Sequence, residues 1–84
     1  MCVNGINAGQ FKWMLEQMDD QVALNRRWTH KLYHSAEDAG LEKTAAALKE
    51  IQAHFDEVRA LLDSAQDAFD KDSAQASNVT VSLV

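Results

Sequence analysis

The chain has 84 residues, 46% hydrophobic and 25% charged, with a formal net charge of -5 and a pI near 4.9. That length fits one domain and leaves little room for a buried core, while the acidic balance sets up a field that repels phosphate polyanions. Cys2 is the only cysteine, which rules out an internal disulfide, and neither an 18-residue apolar run nor a secretory leader is present, so a soluble cytoplasmic protein without membrane attachment is expected.

From the N-terminus, Asn4-Gly5 has the composition of a turn, and residues 1–7 form a short lead-in segment. Asn7 followed by Gln10 resembles a capping box, the Asn oxygen accepting an orphan amide while Gln10 reaches back, which starts helix 1 near Ala8. Its apolar row is Phe11, Leu15, Met18, Val22, Asn25, Thr29, Leu32, Ala36 and Ala39, alternating steps of three and four that share one helical face. Asn25 and Thr29 are polar members of that row. A buried polar residue costs stability but fixes register.

Gly40 separates the first row from a second: Leu41, Thr44, Leu48, Ile51, Phe55, Val58, Leu62, Ala65 and Phe69. Glycine closes a helix in the left-handed conformation, with Leu41 just beyond as the apolar contact of that cap, and Glu42 suits the start of the next helix. No proline interrupts either row. Past about Asp72 the chain becomes small and polar, and Val79 to Val84 alternates β-branched and polar residues. The expected fold class is all-α: an antiparallel two-helix hairpin, dimerising into a four-helix bundle, with a short flexible or strand-like C-terminal tail. Its parts are an N-terminal turn segment at 1–7, a hairpin at 8–72 (helix 1 about 8–39, helix 2 about 42–72) and a linker and tail at 73–84.

Charge is unevenly spread. Residues 1–20 carry one lysine against three carboxylates, residues 21–49 five cations against three carboxylates, and residues 50–84 two cations against seven carboxylates. Folding at Gly40 brings the two acidic segments together at the open end and leaves a mildly basic turn end. Asp56, Asp63 and Asp70 recur every seven residues as a ridge on helix 2, either a solvated face or a docking ridge for a basic partner.

Chemistry is sparse. Glycine-rich phosphate loops are missing and Cys2 has no histidine near it in sequence, so no enzyme and no cofactor are expected. His30 and His34 stand four apart with Glu37 a further three on, the minimum set for a surface chelate, but they lie off the apolar row and no metal is assigned. Glu50 and His54 lack the spacing of a di-iron carboxylate bundle.

Helix 1 carries bulky groups beyond its row: Trp13, Met14, Leu24, Trp28 and Tyr33. Together with Asp56, Asp63 and Asp70 they are the expected partner-binding residues, because a single hairpin leaves them in water. The function expected is a non-catalytic helical-hairpin interaction module, an adaptor, chaperone or inhibitor that binds and regulates a larger protein, as a homodimer or within a hetero-complex. One alternative is a small dimeric RNA- or DNA-binding regulator using Arg26, Arg27 and Lys31, against the overall acidity; another is a divalent-metal-binding bundle.

Overall fold

The computed structural model describes residues 7–75, with side chains through residue 73. Cys2, the Asn4-Gly5 turn and the alternating tail lie outside the described residues. Two helices, α1 (Ala8–Asp38) and α2 (Glu42–Gln75), pack against each other as a hairpin. Helix α1 ends one residue before the expected boundary and α2 runs three residues beyond it.

Local chemistry explains the ends. The Asn7 side-chain oxygen accepts a hydrogen bond from the Gln10 amide at 2.7 Å, with Asn7 itself extended, so an orphan donor of the first turn is satisfied. At the other end Gly40 takes φ +75°. Its amide donates to the Glu37 carbonyl at 3.0 Å, and the Leu41 amide donates to the Ala36 carbonyl at 2.8 Å. Those two bonds make a Schellman closure, which needs the left-handed residue that glycine supplies.

The packing differs from the expected rows in an orderly way. On α1 the positions covered by α2 are Leu15, Val22, Thr29 and Ala36, flanked by half-buried Lys12, Asp19, Arg26 and Tyr33. On α2 they are Leu48, Phe55, Leu62 and Phe69, flanked by Ala45, Gln52 and Gln66. Most other members of the expected rows are exposed, Met18 at 53%, Leu32 at 57%, Leu41 at 53%, Ile51 at 42% and Val58 at 38%, while Phe11 and Ala65 are half-buried. Asn25 is exposed as well, its amide donating to the Gln21 carbonyl at 3.1 Å, whereas Thr29 is buried and donates its hydroxyl to the Asn25 carbonyl at 2.8 Å.

The cause is geometric. A three-four row is two lines of side chains about 50° apart around the helix, and one neighbour covers both when it is centred between them, as in a two-stranded coiled coil. Here each helix is centred on one line of the other and takes the adjoining polar line into the contact, leaving most of the second apolar line outside. The resulting core is thin: among described residues only Ala36, Ala45, Leu62 and Thr29 are buried, and no large side chain is fully enclosed. Stacked Phe11 and Phe69 rings, 4.6 Å between centroids, close the seam at its open end.

Candidate functional site: an open apolar face opposite a polar edge

The seam divides the hairpin surface into two unlike sides. On one, charged groups bridge the helices. Lys12 Nζ donates to Asp70 at 2.9 Å, Arg59 grips Asp19 through Nε at 3.0 Å and Nη2 at 3.3 Å, and Arg26 holds Asp56 with its guanidinium. His30 Nδ1 lies 3.0 Å from the Gln52 side-chain oxygen farther toward the turn. Bonding to Asp70 raises the Lys12 pKa above 10.5, and bonding to Asp19 likewise raises that of Arg59. These contacts run along the length of the hairpin and tie each charge to a partner from the other helix.

The opposite side is apolar. Phe11, Met14, Leu15 and Met18 line one depression near the open end; Trp28 and Leu32 flank another with the Lys31 stem. At the turn end a shallow groove runs between the helices, walled by Leu32 and Ala39 from α1 and by Leu41, Thr44 and Leu48 from α2. Heptad spacing carries the same side along α2 through Ile51 and Val58, with Leu61 on its flank. Among the described residues ten large hydrophobic side chains are exposed, and eight of them (Met14, Met18, Trp28, Leu32, Leu41, Ile51, Val58 and Leu61) belong to this side. Scattered exposed hydrophobes are ordinary, whereas these share one side of the hairpin.

The residues singled out in the sequence are distributed over both sides. Met14 and Trp28 sit on the apolar face, with Leu24 at its outer margin, 37% exposed. Trp13 is 57% exposed but falls in the heptad line of Asp20, Arg27 and His34, away from that face. Tyr33 is half-buried on the polar side, where its hydroxyl donates to Glu37 at 2.8 Å; that bond raises its pKa above 10.0. Of the aspartate ridge, Asp56 and Asp70 are bound by α1 cations of the same chain, and Asp63 adds its charge to the surroundings of Arg59. Arg26 is thereby turned inward, so Arg26, Arg27 and Lys31 do not present one cationic face.

Sequence reasoning passed over Leu32, Leu41, Ile51, Val58 and Leu61 as surface residues. The signal present in the sequence is the bulky apolar residues beside the row, such as Met14, Trp28 and Leu61, which one seam leaves over. Among described residues no group of three or more His, Cys, Asp and Glu side chains converges on a point, and no helix is long and apolar enough to cross a membrane. Compared with protein-family models, curated proteins and solved structures, the chain matches none.

Proposed function

We propose that the chain is a non-catalytic interaction module whose open apolar face is the docking surface, and that its first occupant is a second copy, giving a four-helix bundle. The observation that carries this reading is the gathering of eight of the ten exposed large hydrophobes on one side of the hairpin. Those side chains continue the heptad rows that the intramolecular seam leaves half covered, so a second hairpin meets them with the same spacing. A face as long as α1, about 45 Å, and two helices wide, about 18 Å, offers on the order of 800 Å² per copy, the amount each partner brings to a stable interface.

Charge favours an antiparallel, two-fold arrangement. The turn region carries Arg27, Lys31 and Lys43, while the open end carries Glu16, Asp20, Asp67 and Asp72, so reversing one copy sets basic ends beside acidic ends. Trp13, off the docking face, stays on the outside of such a bundle and is the aromatic anchor for a larger protein regulated by the module as adaptor, chaperone or inhibitor.

Sedimentation equilibrium of the full chain tests the assembly. The expected result is a dimer at micromolar concentration, weakened by Trp28→Ala and by added salt and indifferent to Trp13→Ala. A stable monomer at that concentration, or a dimer insensitive to Trp28→Ala, overturns the reading.

A further inference from the structure

On the side away from the docking face, His30 and His34 meet in a way that ordinary packing does not require. Their Nε2 atoms are 3.1 Å apart, with the rings edge to face at a centroid distance of 4.4 Å. The other nitrogen of each ring faces an acceptor. His30 Nδ1 is 3.0 Å from the Gln52 side-chain oxygen, and His34 Nδ1 is 3.6 Å from a Glu37 carboxylate oxygen. Glu37 is itself oriented by the Tyr33 hydroxyl, which donates to its second oxygen at 2.8 Å.

An imidazole that donates its Nδ1 proton keeps a lone pair on Nε2. Where both Nδ1 positions carry the proton, the two Nε2 lone pairs face each other across 3.1 Å and a cation between them relieves the repulsion; with one ring in the other tautomer the same contact is an N–H···N hydrogen bond. The separation is close to the about 3.3 Å spanned by two nitrogens bound to one tetrahedral zinc ion at ordinary Zn–N distances. Gln52 and Glu37 then occupy the outer positions that commonly fix the tautomer and ring angle of metal-bound histidines.

We propose that His30 and His34 form a two-imidazole chelate for a divalent first-row transition cation of the zinc, copper and nickel group, bound through both Nε2 atoms. Imidazole donors select this group over magnesium and calcium, which take oxygen ligands. The remaining coordination positions belong to water, because no third His, Cys, Asp or Glu converges there among the described residues. The His34 side chain is 58% exposed, so the site is open to ions from solvent. Both ligands stand one turn apart on α1 and Gln52 comes from α2, so the bound ion braces a helical turn and the seam beside it. The site does not depend on the docking face, and failure of either proposal leaves the other standing.

The test is titration of the full chain with Zn²⁺ alone, followed by calorimetry and by the imidazole C–H resonances. One ion per chain is expected, with the His30 and His34 resonances moving and that of His54, which sits alone on α2 beside Glu57, unchanged. His30→Ala and His34→Ala should each abolish the one-to-one binding while circular dichroism shows the same helix content. His54→Ala should bind like the parent chain, and Gln52→Met should lower affinity about tenfold, as loss of an outer-shell partner does. The proposal is overturned if the parent chain takes up no Zn²⁺ at tens of micromolar, which would leave the contact as a hydrogen bond between the two rings. It is equally overturned if binding survives both single histidine substitutions.

Discussion

The two long sides of this hairpin are built from the same helices and meet opposite fates. Along the polar edge, Lys12, Asp19 and Arg26 of α1 find Asp70, Arg59 and Asp56 of α2, so each charge is answered within the chain. Along the apolar face, Met18, Leu32, Ile51 and Val58 find no answering group among the described residues and remain between 38% and 57% exposed. The edge fixes which residue of α1 stands opposite which of α2. The face holds the larger store of free energy, since apolar burial yields roughly 25 cal/mol per Å² whereas exposed ion pairs contribute little and are screened by salt. The hairpin therefore keeps its paired charges on one side and its uncovered apolar area on the other.

The sharpest way to break that contrast is to put charge on the face. Leu32→Asp with Ile51→Asp removes apolar area from two helices and places carboxylates where a second copy would seat. We expect the dimer dissociation constant to rise at least 100-fold, with a clear fall in melting temperature, measured by sedimentation and thermal circular dichroism. An unchanged association would move the contact surface elsewhere.

A smaller effect, of opposite sign, is expected at Asn25. It lies in the exposed heptad line with Met18 and Leu32, its amide tied back to the Gln21 carbonyl. Asn25→Leu completes the apolar line and should stabilise the assembly by about 1 kcal/mol, at the cost of looser control over register and copy number. Thermal melts combined with sedimentation read both outcomes. A destabilised variant would give Asn25 a specific partner across the interface.

The polar edge should respond least. Arg26→Gln with Asp56→Asn keeps the hydrogen-bonding shape while removing a charge pair, and the melting temperature should fall by only a few degrees, with part of that loss reproduced by salt in the parent chain. Alkali gives a matching signature. The Lys12 pKa is raised in the folded state, so the stability it contributes is fully present below about 10.5, its unfolded value, and is lost as pH climbs through the higher folded value. A Lys12→Met variant should lack that alkaline component of the loss.

Much of the architecture was legible in the chain. Asn7 and Gly40 named their own roles, because capping and left-handed closure depend on a few adjacent atoms; Phe11 and Phe69 stand at matched distances from the turn and do meet. The face was harder to see. Treating each apolar row as a single seam hid the fact that Leu15, Val22 and Leu62 turn toward the other helix while Met18, Leu32 and Val58 turn aside. Trp13 and Tyr33 stand out in the sequence by their size, and size does not say which way a side chain projects. The aspartate ridge misled for a related reason: its cations stand on the other helix, far off in sequence and near in space.

Sequence by itself determined the two helices, the N-terminal cap, the turn and the surplus of apolar side chains, since all of these follow from local hydrogen bonding and from the period of the pattern. The tertiary structure decided how that surplus is divided. In the hairpin each helix is centred on one line of the other's two-line row, with the ion pairs from Lys12 to Asp70, Asp19 to Arg59 and Arg26 to Asp56 alongside the covered line. The contact of Gln52 with His30 is likewise a product of that packing, because it needs α2 at a particular rotation, whereas the His30–His34 pair follows from its spacing of four on α1.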